Sequence, residues 1–274
     1  MRKARNRLVG VTAVYRCGSR IFSHQIVLDM MGREKLVETL HDLAAFSSVE
    51  IITYCVMPHH FELLVRVPGK VELTDSALLK RLTALYGEKS IPATLARRSI
   101  GTQGQIPQKL RKTLMRRMGD ISVFMKELKQ RFSRWYGTYS DHSGVLWAER
   151  FKSVLVEDAP VALQTAAVNI DLHPVRAGLV QDPKDYRFGS YAAALAGNKS
   201  SQGGLTKLVQ KRDWPSAAAA YRSLLFPPNS PPNSETGSQP KSQAKAKAKS
   251  NFQSDSNSKL KSRTESHHRI THKK

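Results

Sequence analysis

An α+β fold, with a ferredoxin-like antiparallel sheet and helices packed on one face, is predicted by three features of this chain. Strand-like and helix-like segments follow in the order strand, helix, strand, strand, helix, strand, helix, which a split βαβ arrangement accounts for. The two middle strand candidates, "VEIITYCVM" and "FELLVRVP", are joined by only "PHH", so they pair as antiparallel neighbours. Two long segments repeat their apolar residues at three- and four-residue spacing, the period of a helix with one buried face.

Taken in order, Val9 to Cys17 ("VGVTAVYRC") is rich in β-branched and aromatic residues and forms the first strand. From about Met31 to Phe46, Leu36, Val37, Leu40, Leu43 and Ala44 mark an amphipathic helix. The hairpin follows. A polar, basic insertion at about 70–118 holds a helical piece near Asp75 to Tyr86 and a Gly-rich patch, "GTQGQIP". Ile121 to Tyr139 is a helix with Phe124, Leu128, Phe132 and Trp135 on one side. "FKSVLVED" is the last strand, and "APVALQTAAVNIDL" a helix opening at Pro160 and closing before Pro174, because the residue before a proline is driven out of the α region. Residues 197–226 form a partly helical extension. The final stretch, 227–274, has a single aromatic, Phe252, and too little apolar surface to offset its ordering entropy, so a disordered basic tail is expected.

The 274 residues carry a formal charge of +22, and the tail accounts for +7 of it, which leaves +15 on the folded part. Such a surplus calls for a polyanionic partner, nucleic acid before an anionic membrane. No apolar run reaches the ~20 residues of a bilayer span, and the charged amino terminus lacks an apolar signal core. A cytoplasmic, nucleoid-associated location without membrane contact is therefore expected. The two cysteines, Cys17 and Cys55, lie in apolar runs without metal or disulfide spacing and are expected as buried thiols.

The hairpin contains the chemistry. In "MPHHFELLV", His60 and Glu62 are two apart and leave the same face of a strand, while Phe61 and Leu63 point the other way. An imidazole beside a carboxylate is either a pair of ligands for a divalent cation or two polar groups on a solvated face, and spacing alone leaves both open.

The stretches "YCVMPHHFELLV", "FMKELKQRFSRWYG", "GVLWAERFKSVLVED" and "NIDLHPVRAGLVQDPKDYRFGSY" together resemble the REP-associated tyrosine transposases, a branch of the single-tyrosine HUH transposases, from about Gly10 to Tyr191. The resemblance implies a transposase-like HUH domain over 1–196 that binds single-stranded or hairpin DNA as a monomer or homodimer. It further implies metal-dependent strand cleavage and transfer, in which a helix-borne tyrosine attacks a phosphate polarised by Mg²⁺ or Mn²⁺. Carried across, the family's "PNHxH" stands here as Pro58 to Glu62, so His60 is retained and Glu62 replaces the second histidine. The family's "YIxLNP" stands as "NIDLHP", which puts Asn169 at the tyrosine position and His173 at that of the last metal ligand. An amide cannot form the covalent phosphodiester intermediate. His60, Glu62 and His173 remain the implied metal set, and Tyr136 and Tyr139 do not match the nucleophile position.

Between 109 and 134 nine basic residues face two acids. Lys109, Arg111, Lys112, Arg116, Arg117, Lys126, Lys129, Arg131 and Arg134 read as phosphate contacts, joined by Arg150 and Lys152 around Phe151 and by Arg176 after "HP". Two functions stay open: a DNA strand transferase of the transposase type, and a binding module of the same fold that no longer cleaves.

Overall fold

The computed structural model describes residues 8, 10–22, 28–141 and 143–227. Apart from Pro227, the expected disordered tail lies outside the described residues. Strand β1 (Ala13–Arg20) leads through α1 (Met30–Ser47) to the hairpin of β2 (Glu50–Val56) and β3 (His60–Val67). The insertion supplies α2 (Asp75–Tyr86), α3 (Ile91–Gln103) and α4 (Gln108–Met115), and then come α5 (Ile121–Ser140) and β4 (Lys152–Val156). After β4 follow α6 (Pro160–Asp171), the short α7 (His173–Arg176), a 3₁₀ turn at Pro183–Asp185, α8 (Ser190–Leu195), α9 (Lys199–Leu208) and α10 (Trp214–Leu225).

The four strands form one antiparallel sheet in the order β2-β3-β1-β4, the ferredoxin-like order. The first strand starts and ends later than its composition indicates. Gly10 has φ +81°, which breaks the extended chain, and pairing with β3 then runs from Ala13 opposite Val67 to Arg20 opposite His60.

Alternation sorts the side chains of β3. Phe61, Leu63 and Val65 are buried on the face that carries α1 and α5, where the Phe61 ring stands 5.6 Å from Trp147 and Trp147 5.8 Å from Phe132. Each such fully buried side chain contributes about 1.5–3 kcal/mol. On α5, Ile121, Phe124, Met125, Leu128, Phe132 and Tyr136 form the buried stripe, and Asp120 caps the helix by accepting from the N–H groups of Ser122 and Val123. Asp29 does the same for α1 at Gly32, 2.7 Å away. The opposite face of the sheet is partly covered by α6, whose buried Leu163, Ala167 and Ile170 repeat at helical spacing.

Edge strand β2 is not left open. The Val56 N–H donates to the Phe188 carbonyl at 3.0 Å, and α9 lies against the next backbone groups. The approach needs glycine: a Cβ on Gly204 would meet the carbonyl oxygens of Ile51 and Ile52. Within the insertion, the "GTQGQIP" patch closes α3, with Gly104 at φ +71° as its C-cap. Both cysteines are buried and neither is in a disulfide. Among the described residues, no helix is long and apolar enough to cross a membrane.

Candidate nucleic-acid interface

His60 and Glu62 leave β3 on the face away from α1 and α5, beside Arg16, Gly18 and Arg20 of β1 and Lys152 and Val154 of β4. The part formed by β1 and β4 stays open, with Val154 64% exposed. Gly18 stands opposite Glu62, and a Cβ there would come 3.0 Å from the Phe61 carbonyl oxygen, so the missing side chain keeps a shelf beside the carboxylate.

The fourth element of the site is set by a helix break. Pro174 has no N–H to continue α6, which ends at Asp171, and the chain restarts as α7 at His173. Asp171 anchors that end. Its buried carboxyl accepts from Thr53 Oγ1 at 2.9 and 3.0 Å and from the Tyr221 hydroxyl at 2.5 Å. Burial pushes its pKa up to about 7 against the pull of those donors. Asn169, half-buried, lies on the far side of the break, and its carbonyl accepts from Arg176 at 3.1 Å.

So placed, His173 reaches His60, with their Nε2 atoms 3.3 Å apart and ring centroids at 4.8 Å. The other ring nitrogen of His173, Nδ1, lies 3.4 Å from Glu62 Oε2, which also accepts from Arg16 at 2.8 Å. Burial opposes the Glu62 charge, yet hydrogen bonds from His173 and Arg16 outweigh it and hold the carboxyl down to about 2. Burial, and then the neighbouring His173, push His60 down to about 4, so its ring is neutral near pH 7. When His173 carries its proton on Nδ1, beside the Glu62 carboxylate, its Nε2 offers a lone pair to His60 Nε2–H.

The three residues expected to hold Mg²⁺ or Mn²⁺ therefore meet, but as a chain running Arg16, Glu62, His173, His60. Among the described residues no group of three His, Cys, Asp or Glu is arranged to hold a metal ion. The donor chemistry agrees. Glu62 is committed to a guanidinium and an imidazole, and the remaining pair of imidazole nitrogens is a poor set for cations that prefer oxygen.

The expected DNA-contacting cations fall into two groups. Lys126, Lys129 and Arg134 on α5 face Arg150 across a groove of about 790 Å³ whose wall includes Trp147 and Phe151. Trp147 is fixed there by donating its indole N–H to Ser133 Oγ at 2.7 Å, and Lys129 Nζ sits 5.2 Å over its ring. The segment that carries Trp147 is tied to the end of β1, where the Ala148 N–H donates to the Arg20 carbonyl at 3.0 Å. Lys152 is 79% exposed while pairing with Glu149 at 2.8 Å; Lys109, Lys112, Arg116 and Arg176 are also exposed.

The second group is engaged within the fold. Arg111 pairs with Asp75 and donates to the Leu73 carbonyl at 2.6 Å. Arg117 makes a two-point pair with Glu127 at 2.6 and 2.8 Å and lies 4.3 Å over Phe46, and Arg131 sits 4.7 Å over Tyr86.

Sequence reasoning passed over Arg16, Gly18, Arg20 and Asp171. The alternation Arg16, Gly18, Arg20 could have shown the first three as one face of the first strand. Asp171 gives no such signal, since it sits in "NIDLHP" as an apparently ordinary polar residue.

No model of a known protein family matches the chain, and no curated protein does. Among solved structures, one described as a REP-associated tyrosine transposase bound to a REP hairpin is similar at 14% identity and a TM-score of 0.47, over 72% of this chain and 87% of its own. A putative transposase from Deinococcus radiodurans is similar at 15% identity and a TM-score of 0.28, over 58% of this chain and 88% of its own.

Proposed function

We propose that the protein binds single-stranded or hairpin DNA and that tyrosine-mediated strand transfer has been lost from its site. The observation that carries this reading is the groove walled by Trp147 and Phe151 and rimmed by the exposed cations Lys126, Arg134 and Arg150. Lys and Arg there supply phosphate contacts. The sequence resemblance to single-tyrosine transposases supports the choice of DNA among polyanions. Loss of tyrosine chemistry follows from Asn169 at the position where the family carries its nucleophile.

The test is a titration of a fluorescent hairpin with a single-strand flank, comparing the unaltered chain with a Lys126→Ala, Arg134→Ala, Arg150→Ala variant. Binding is expected to weaken at least about tenfold in the variant, because three phosphates are left without their cations. Equal binding by both proteins would refute the assignment of the groove.

A further inference from the structure

We propose that His173 is itself a nucleophile toward a DNA phosphodiester, forming a covalent phosphohistidine with the bound strand without a metal. This rests on the DNA-binding reading above and adds a reaction to it.

Three features of the site lead there. A nucleophilic imidazole needs one nitrogen protonated and held from behind so that the other offers its lone pair outward. Glu62 provides the hold, lying 3.4 Å from His173 Nδ1, and is itself fixed by Arg16 at 2.8 Å. The His173 side chain is 31% exposed, so the site is reachable from solvent. Second, that lone pair meets His60 Nε2 at 3.3 Å, in a hydrogen bond that a phosphate oxygen can take over. Third, the surroundings suit a phosphate. Arg20 stands opposite His60 across β1 and β3, and the glycine at position 18 leaves the shelf beside Glu62 clear. The arrangement that fails as a three-ligand metal site thus has the parts of an orienting carboxylate, a nucleophile and a hydrogen-bond donor.

The step balances without a further reagent. The Nε2 lone pair of His173 attacks phosphorus and forms an N–P bond, and the bond from phosphorus to one deoxyribose oxygen breaks. The departing oxygen takes a proton from water. His60 Nε2–H passes from His173 to a non-bridging phosphate oxygen, and Glu62 stabilises the positive phosphoimidazolium through its Nδ1–H. A hydroxyl from water or a strand end then attacks phosphorus, the N–P electrons return to Nε2, and the hydroxyl proton goes to solvent.

The experiment uses the full chain with hairpin DNA carrying a single-strand flank, labelled at either end, in excess chelator. After denaturation without acid, label is expected on the protein, stable to alkali and released by mild acid, as a phosphoramidate is and a phosphotyrosine is not. His173→Ala and His173→Asn should abolish the adduct and strand cleavage while still binding the hairpin. Glu62→Gln should lower both by roughly a hundredfold, the scale on which an orienting carboxylate acts. Bound hairpin with neither adduct nor cleavage would overturn the nucleophile and leave DNA binding standing. An acid-stable adduct, or cleavage that survives His173→Ala, would overturn it equally. Failure to bind the hairpin would remove the binding reading and the reaction with it.

Discussion

The hydroxyl of Tyr221 on α10 lies 2.5 Å from the carboxyl of Asp171 at the end of α6, although 50 positions separate them in the chain. Both residues are buried, and Thr53 of β2 completes the cluster. The bond ties the carboxy-terminal helix to the helix end that sets His173, so an element far from the site holds the site in place.

Removing one donor tests the tie. Tyr221→Phe should cost about 1–3 kcal/mol of stability by urea unfolding, since a buried carboxyl is deprived of a partner. Asp171→Ala should cost about 2–4 kcal/mol, through the broken network and the space left behind. A change below about 0.5 kcal/mol in both would show that the cluster does not anchor the helix.

The pH response has two opposing parts. Asp171, raised to about 7 from 3.8, keeps its proton in the folded state, so its contribution is full below about 4 and is lost as pH rises toward 7. His60, lowered to about 4 from 6.5, contributes above 6.5, and that stability is lost as pH falls toward 4. Between pH 4 and 6.5 the two slopes offset each other. Asp171→Asn should therefore expose a stability that falls on acidification in this window, whereas His60→Gln should expose one that rises. Stability curves from pH 4 to 7 with the two slopes unchanged by these substitutions would contradict both assignments.

Much of the fold and half of the site were legible in the sequence. The hairpin followed from "PHH" between two apolar runs, and α5 and α6 from spacing and Pro160, because those features act over a few residues. The motifs grouped His60, Glu62 and His173 as an implied metal set, and the fold brings these three side chains into contact. What the sequence concealed depends on partners distant in the chain. Arg111 and Arg117 look like phosphate binders until Asp75 and Glu127 are seen beside them. Glu62 looks like a metal ligand until Arg16 is placed next to it by strand pairing. The helix α3 was hidden by Gly101 and by its own C-cap, Gly104, both weak helix formers.

The covering of β2 offers a packing test. Gly204→Ala forces α9 away from the Ile51 and Ile52 carbonyls and should cost about 1–3 kcal/mol, as overpacking does elsewhere. Thermal unfolding that matches the unaltered protein would mean that α9 does not lie against this edge.

Divalent cations should matter little to the fold. With Glu62 held by Arg16 and His173, Mg²⁺ or Mn²⁺ gains no carboxylate at the histidine pair, and Tm is expected to stay within about 1 °C across a titration. A saturable rise of several degrees, abolished by His60→Ala, would place a metal there.

The central claim, that the cationic groove and the adjoining sheet face form a DNA-binding surface, is tested most directly by the salt dependence of hairpin binding. If about six phosphates are neutralised, log K should fall against log salt with a slope of roughly −4 by the single-strand rule. Replacing Lys126, Arg134 and Arg150 with alanine should reduce the slope by about 2, at ~0.7 for each phosphate no longer neutralised. Replacing Arg111 and Arg117, which are already paired with Asp75 and Glu127, should leave it unchanged in whatever fraction stays folded. Affinity indifferent to salt, or a slope that the groove variant leaves untouched, would contradict the claim.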